Sequence, residues 1–396
     1  TANLSTNPRL HKEIKLAEKL GYHVSYVAFR QGGWSDEKDQ SLIEDLAARP
    51  FYLSALRKPY WPWFFGTLMS LVCQWLWPFF PENLWIAAVA HNKRTFHILT
   101  FLRSNKQCYD LVIGHNLGAL YPAFVFSSKL KTPFAFDIED YHPGESSAVP
   151  IKGEVERRKF LLSSILPHAS YYSYASPMIG QHVGDLLHPS LFARKFLVNN
   201  SFSQGEFVPP EPPTDKLKMV WFSQNINYGR GLEWLLPMLD RFKHDIQLVL
   251  IGLLNPGFYE EHLSGRKYIQ LVAPMSPSAL NASLSQYDVG LALELNTTDL
   301  NRQICLTNKI WSYLQAGLYI LATDTPAQQL FMSEHPSRGL VVAQNIDSIH
   351  EAIEKILSTK DQIRRELNYR YEKGKESSWE VESVKLQQTW REILHA

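Results

Sequence analysis

Apolar positions recur along the chain at two spacings, which predict alternating helices and strands. In residues 8–20, Leu10, Ile14 and Ala17 share one face of a helix, and the apolar run at 23–29 predicts a strand. The same order of helix and strand continues through the first half of the chain. Short apolar strands alternating with helices are typical of a parallel, doubly wound sheet, so we predict the α/β class.

The alternation restarts after residues 201–216, SFSQGEFVPPEPPTDK, where prolines are dense. Such a segment is predicted to be an extended linker between two domains. We therefore predict domains at 1–200 and 217–375, followed by a helix within 376–396 that packs back on the first domain. Ligands of doubly wound sheets bind outside the carboxyl ends of the strands, so a cleft between the two domains is the expected site.

The first predicted helix has no strand before it. A doubly wound sheet usually begins with its central strand, and a sheet without that strand would leave the neighbouring strand edges exposed. We therefore expect a first strand upstream of residue 1.

Residues 57–92 are unusually aromatic, and 59–81 carry no formal charge. Pro62 and Pro78 leave 15 residues between them, a helix of about 22 Å that falls short of a ~30 Å hydrocarbon core. Trp and Tyr at both ends are typical of interfacial anchors. Three interpretations stay open: helices lying in a membrane surface, a packed helical layer within the first domain, and a membrane span.

Composition narrows the function classes. The chain has 396 residues, with 40 Lys+Arg against 39 Asp+Glu, a balance that argues against a nucleic-acid-binding protein. Cys73, Cys108 and Cys305 are far apart and form no zinc or disulfide pattern, which favours a reducing compartment. With no signal-like apolar region at the start, we expect a cytoplasmic protein, peripheral at the inner face of a membrane if 59–81 touches lipid.

Several segments in order resemble glycosyltransferase family 4. They are DLVIGHNLGALYPA, LVLIG, NKIWSYLQAGLYILATD and SSWEVESVKLQQTW. The resemblance covers most of the chain but leaves 34–100 uncovered. It implies a GT-B fold, in which two Rossmann-like domains face a central cleft. It also implies transfer of a sugar from a nucleotide-sugar to a glycan or lipid-linked acceptor, with retention at the anomeric carbon and without a metal or other cofactor.

In the second half, the resemblance implies a diphosphate site at the start of the helix that contains Thr307, Asn308 and Lys309. Helix N-termini suit phosphate groups, and a cation there stabilises charge on a leaving phosphate. Arg230 stands where the family usually has Lys, and Gln224 where it often has Arg. The alternative is an ordinary capped helix with a solvated lysine and a surface arginine.

In the first half, the resemblance places His115, at the end of the predicted strand 109–115, against the donor sugar or acceptor. A neutral imidazole there could accept a hydroxyl proton. Asn116, Asn7 and Arg9 are further candidates for substrate contact. The alternative for His115 is a histidine that satisfies loop carbonyls.

An acidic turn follows the next predicted strand, at Asp137, Glu139 and Asp140. It resembles a metal-binding cluster, but the family resemblance implies no metal. We interpret it as a solvated turn that caps the following segment.

The chain departs from the family at two positions. Many members carry two glutamates eight residues apart, at the sugar and the ribose, where this chain has Ile304 and Ser312. Ser312 could still bind a ribose hydroxyl, and Glu294 could supply a charge from the preceding loop. The loss keeps one alternative open, a catalytically idle GT-B protein that binds a sugar nucleotide or partner. A further alternative within the enzymes is a sugar-nucleotide epimerase of GT-B fold.

Overall fold

A computed structural model describes residues 3–147, 151–189, 194–211 and 215–395. The described chain forms two compact units. Unit 1 contains the residues up to Val198 together with those from Ser383 onwards, and unit 2 is Asn199–Glu382. Both units are built from parallel strands and helices, so the predicted fold class is confirmed.

In the residues that the structure describes, unit 1 has six strands, which are β1 (Ser25–Arg30), β2 (Arg49–Ser54), β3 (Val112–His115), β4 (Phe134–Ile138), β5 (Tyr171–Tyr174) and β6 (Arg194–Leu197). Its helices are α1 (Pro8–Lys19), α2 (Trp34–Ile43), α3 (Tyr60–Leu76), α4 (Leu84–His91), α5 (Lys93–Ser104), α6 (Leu117–Leu130), α7 (Glu154–Ile165), α8 (Pro177–Gly184) and, from the end of the chain, α19 (Val384–Leu394).

The described part of unit 2 also has six strands, which are β7 (Leu217–Ile226), β8 (Ile246–Leu254), β9 (Ile269–Val272), β10 (Val289–Ala292), β11 (Tyr319–Thr323) and β12 (Gly339–Val342). Its helices are α9 (Leu232–Leu239), α10 (Pro256–Phe258), α11 (Pro277–Ser283), α12 (Leu300–Ile304), α13 (Asn308–Ala316), α14 (Pro326–Glu334), α15 (Ile346–Ser358), α16 (Lys360–Arg365), α17 (Leu367–Gly374) and α18 (Trp379–Glu382).

The described strands of unit 1 lie in two separate parallel sheets. One pairs β1 with β2, and the other has the order β3-β4-β5-β6. A cavity of about 750 Å³ is lined by residues of both β1 and β3, among them Tyr26, Val27 and Ile113. The strand expected upstream of residue 1 stays a prediction.

The helices of the aromatic segment form a packed layer on one side only. Gly66, Ser70 and Cys73 of α3 are buried where that helix packs on α4 and α5. A Cβ at Gly66 would lie 2.3 Å from Nε2 of His97, so only glycine allows this close approach. In the part of the chain that the structure describes, no helix is both long and apolar enough to cross a bilayer.

The sheet of unit 2 has the strand order β12-β11-β10-β7-β8-β9, and all described pairs are parallel. The chain proceeds from β7 to β8 and β9 on one side, then returns so that β10 lies on the other side of β7. The order therefore reverses between β7 and β10. Trp221 of β7, Leu250 of β8 and Leu291 of β10 are fully buried in the core beneath that point.

The structure corrects the predicted linker. Residues 201–211 pack on unit 2, and residues 212–214 lie outside the described residues. The Phe202 N–H donates to Oε1 of Gln315 over 2.8 Å, and Nε2 of Gln315 donates back to the Phe202 carbonyl over 2.9 Å. Phe207 is buried as well. The segment also contains a short 3-10 helix at Gln204–Glu206, so the described part is not a uniformly extended chain, and proline density did not indicate that its apolar residues have partners.

The end of the chain divides between the two units. α18 belongs to unit 2, where the Trp379 N–H donates to the Phe202 carbonyl over 2.9 Å. α19 packs in unit 1, where Nε1 of Trp390 donates to the Tyr171 hydroxyl over 2.7 Å. The predicted return of a C-terminal helix to the first domain is confirmed, but it begins at Ser383 and excludes Trp379.

Trp390 is only 3% exposed. Replacing Trp390 by Ala should lower the free energy of unfolding of unit 1 by about 3–5 kcal/mol, because the change removes a large buried side chain and leaves Tyr171 without its donor. Val384→Ala on the exposed side of the same helix is the matched control, with an expected effect below about 0.5 kcal/mol. Urea unfolding followed by circular dichroism measures both, and equal effects would contradict the anchoring role of Trp390.

Candidate functional site

The point where the strand order of unit 2 reverses is the first candidate site. Parallel strands end at the same edge of a sheet, and ligands of doubly wound sheets bind at such a switch point. α9 follows β7 and α13 lies in the segment after β10, so both helices begin at this edge. The residues predicted to bind the donor stand in these two connections.

Lys309 lies in the first turn of α13 and is buried. Its Nζ is 3.0 Å from Oε1 of Glu294, which follows β10, and 5.9 Å from the ring centre of Trp221 on β7. The structure therefore excludes the solvated lysine considered as an alternative. It also pairs two of the predicted site residues, so a bound phosphate would share the ammonium group with the Glu294 carboxylate.

Thr307 is the N-cap residue of α13, as predicted. Its hydroxyl is buried, caps no backbone N–H, and has no hydrogen-bond partner among the described residues. Asn308 is exposed beside it. The helix ends at Gly317, whose φ of +77° is the left-handed conformation that favours glycine. A buried hydroxyl without a partner, next to the free N–H groups of a helix start, is a set of donors suited to an anion.

Arg230 is half-buried, and its guanidinium makes no hydrogen bond or ion pair with the described residues. Gln224 is exposed near the carboxyl end of β7. Gly231 follows with φ +84°, and a Cβ there would lie 3.3 Å from Cβ of Leu293. The connection carrying Arg230 therefore touches the connection carrying Glu294, which brings the two groups of predicted residues to one place.

The structure corrects the role predicted for Ser312. Its side chain is 1% exposed and donates to Oδ1 of Asn281 over 2.9 Å, and Asn281 in turn donates to Oε2 of Glu206 over 2.9 Å. Ile304 is also 1% exposed. Both positions where family members carry glutamate are core positions here, so Ser312 holds the fold together and does not face a ligand.

Unit 1 contains a buried cluster of charged groups at the carboxyl ends of β3 and β4. His115 is 3% exposed, with Nε2 3.3 Å from Oε2 of Glu13 and Nδ1 3.6 Å from Oδ2 of Asp137. Burial alone would lower the pKa of His115, but the adjacent carboxylates outweigh it and raise that pKa well above the ordinary value. This direction favours the charged form of the ring, whereas the predicted general base requires the neutral form.

Asp137 is 1% exposed, so the interpretation as a solvated turn is wrong for this residue. The Ser173 hydroxyl donates to its Oδ1 over 2.5 Å, and Nη1 of Arg9 is 3.8 Å from the same oxygen. Burial would raise the pKa of Asp137, but the Arg9 and His115 charges lower it overall. All five residues of β4 are buried, including Asp137 next to its end, and the sequence pattern gave no sign that this acid is buried.

Arg9 and Asn7 have structural partners as well. Nη2 of Arg9 donates to the Val198 carbonyl over 2.6 Å, and its side chain is fully buried. Oδ1 of Asn7 accepts the Leu10 N–H over 2.9 Å and so caps α1. The structure thus gives neither residue the free side chain that a substrate contact requires. Asn116, beside His115, has φ +67°, a left-handed conformation that is uncommon for a residue other than glycine.

Glu13 is the residue of this cluster that sequence reasoning missed. Burial raises the pKa of Glu13, although the His115 charge opposes that change. The available signal was an Arg–Glu pair at i and i+4, Arg9 and Glu13, on the buried side of α1. Glu13, His115 and Asp137 offer atoms within 4.8 Å of one another, a set that could also hold a metal ion. The printed distances also place Arg9 beside Asp137 and His115 beside Glu13, which is the arrangement of a buried ion-pair network.

Comparison with known proteins identifies the fold. No family model matches the sequence, and no curated protein matches it significantly. Among solved structures, the chain is similar to a glycosyltransferase from Rickettsia africae (TM-score 0.68, 12% identity, 99% of this chain and 96% of that one). It is also similar to HepE from Anabaena, solved with UDP (TM-score 0.64, 11% identity, 98% and 97%).

A third similar structure has a different described activity. It is a protein named as a UDP-N-acetylglucosamine 2-epimerase from Listeria monocytogenes (TM-score 0.55, 10% identity, 93% of this chain and 89% of that one). At these identities the likeness concerns the fold. This chain has the two-domain Rossmann-like architecture of the GT-B glycosyltransferases over its full length.

The raised pKa of His115 has a consequence for stability. A group whose pKa is higher in the folded state stabilises the protein fully below its unfolded pKa, 6.5 for histidine, and loses that effect as pH rises through the folded value. The free energy of unfolding should therefore fall as pH rises above about 6.5. His115→Gln should remove this component, and His188→Gln, near the surface, is the control. Urea unfolding between pH 6 and 9 checks it, and parallel profiles for parent and His115→Gln would contradict it.

Proposed function

We propose that this chain is a glycosyltransferase that moves a sugar from a nucleotide-sugar to a glycan or lipid-linked acceptor, with retention at the anomeric carbon. The observation that carries the proposal is the set of anion-binding groups at the switch point of unit 2. Arg230, Lys309 and the unpartnered hydroxyl of Thr307 stand there, at the start of two helices. Ligand diphosphates bind such helix starts in open α/β sheets.

In this proposal the donor diphosphate lies at the start of α13. The Thr307 hydroxyl, Asn308 and the first N–H groups of the helix donate to phosphate oxygens, and Gln224 adds a neutral donor at the end of β7. When the bond between the sugar and the diphosphate breaks, negative charge develops on the leaving phosphate. Lys309 and Arg230 stabilise that charge, which is the largest contribution that an enzyme of this kind can make.

Glu294 holds Lys309 in place in the free protein. Since the ion pair is buried, the ammonium group is already oriented toward the switch point when the donor arrives. The phosphate then replaces part of the interaction with Glu294. The resemblance to glycosyltransferase family 4 supports retention, and His115 with Asn116 are the proposed contacts of unit 1 with the donor sugar or acceptor.

We expect the reaction to need no metal or other cofactor, so transfer should survive EDTA. HepE, the GT-B protein solved with UDP and with UDP-glucose, supports a uridine nucleotide-sugar as the first donor to test. We place the reaction in the cytoplasm at the inner face of a membrane, with a lipid-linked acceptor. The exposed aromatic residues of α3 support that placement.

Two other functions are alternatives: an idle protein, because Ile304 and Ser312 replace the family glutamates, and an epimerase, because one similar structure carries that name. An idle GT-B protein would bind a uridine nucleotide-sugar in a thermal-shift assay without hydrolysing or transferring it. An epimerase, the activity named for the Listeria protein, would change the sugar of UDP-N-acetylglucosamine without releasing UDP. Release of UDP that depends on an added acceptor would distinguish the transferase from both.

Lys309→Ala and Arg230→Ala should each lower the transfer rate about 10²–10³-fold, because each removes a cation that stabilises charge on the leaving phosphate. The losses should be less than additive in the double variant, since both cations act on one diphosphate. Lys267→Ala, an exposed lysine of the same unit, is the control and should leave the rate unchanged. Initial rates of UDP release are measured for the parent and the four variants, and rates within twofold of the parent in both single variants would exclude this phosphate site.

A further inference from the structure

One face of α3 is a continuous, exposed apolar surface. It consists of residues at helical spacing, which together with Phe79 in the turn that follows we name the aromatic face: Trp61, Phe64, Phe65, Leu68, Leu71, Val72, Trp75 and Phe79. Trp61 is 72% exposed, Trp75 is 69% exposed and Phe79 is 66% exposed. Contiguous apolar surface of this extent on a folded protein marks an interaction site.

The helix cannot turn this face inward, because its opposite side is already packed. Gly66 lies against His97 with no room for a Cβ, and Ser70 and Cys73 are buried on the same side. Trp77, next in that row, is 6% exposed with its ring 5.6 Å from that of Phe160. The tryptophans of this segment thus divide between the core and the surface, and Trp61 and Trp75 belong to the surface.

Basic side chains lie near the first turn of α3, on rings outside the aromatic face, and we name Arg57, Lys58 and Lys93 the basic border. The Arg57 guanidinium lies 5.2 Å and Nζ of Lys93 lies 5.7 Å from the ring centre of Trp63, and Nζ of Lys58 lies 5.9 Å from that of Tyr60. Between residues 51 and 100 the only acidic residue is Glu82. An apolar helix face with tryptophan at both ends and a basic border is complementary to the surface of an anionic bilayer.

We propose that α3 lies in the plane of an anionic lipid membrane, with its aromatic face among the upper acyl chains and Arg57, Lys58 and Lys93 at the headgroups. This docking would bring unit 1 to the membrane surface, where a lipid-linked acceptor would lie. The link to the acceptor rests on the proposed function. Lipid binding itself does not depend on transfer.

The test uses the full chain and vesicles of phosphatidylcholine with or without about one-third phosphatidylglycerol. The parent should float with the anionic vesicles, and high salt should weaken binding because it screens the basic border. Changing Trp61, Phe65, Leu71 and Trp75 to Ser should weaken binding more than about tenfold with an unchanged circular dichroism spectrum. Four exposed apolar residues of unit 2 changed to Ser form the matched control: Leu330, Ile346, Tyr369 and Val381.

Three outcomes would overturn the proposal: no flotation of the parent, equal flotation of the fourfold variant, or a dimer in lipid-free solution that the variant abolishes. If the fourfold variant unfolds, the test uses the parent protein and vesicles with brominated lipids, which should quench its tryptophan fluorescence. Absence of quenching would then overturn the proposal.

UDP release with a soluble acceptor, measured on the same proteins, separates membrane docking from the proposed transferase function. A variant that keeps this rate but loses flotation supports membrane docking, and a parent that floats but releases no UDP leaves docking intact and removes the proposed function.

Discussion

The parallel pairing of β7 with β10 is the constraint on which the candidate donor site depends. Because both strands run the same way, the connections that follow them leave the sheet at one edge, and the reversal of strand order opens a crevice there. Arg230 arrives from β7 and Glu294 from β10, while Lys309 is fixed by the start of α13. Their proximity follows from topology, since no two of these three residues are near one another in sequence.

Both units bury charged groups at the carboxyl edges of their strands. In unit 2 the pair is Lys309 with Glu294, and in unit 1 His115 lies between Glu13 and Asp137. A buried charge whose partner is removed typically costs about 3–5 kcal/mol. Substituting any of these residues can therefore destabilise the fold as well as weaken ligand binding. A loss of activity in such a variant has to be compared with its free energy of unfolding.

The helical layer of unit 1 gives the chain two chemically different surfaces from one short segment. Small residues of α3, above all Gly66, allow close packing on α5, and this packing leaves the large aromatic residues on the outer face. A helix that is apolar all round is usually buried on all sides. Here only one side of α3 is buried, and we propose a lipid surface as the partner of the exposed side. Composition alone does not show which side of a helix is buried, so it left three interpretations of this segment open.

The sequence by itself determined the elements whose signals are local. The helix at 117–130 and the helix from Asn308 to Gly317 follow from periodicity and capping residues, and the LVLIG strand follows from a continuous apolar run; the structure has all three. Local signals could not show which polar residues are buried, because burial depends on partners far along the chain. Ser312 meets Asn281, Asp137 meets Ser173 and Arg9 meets Val198 only when the fold brings distant segments together. For the same reason, two tryptophans of one aromatic stretch differ in burial. Trp77 packs on Phe160 in the core, whereas Trp75, two residues earlier, is exposed.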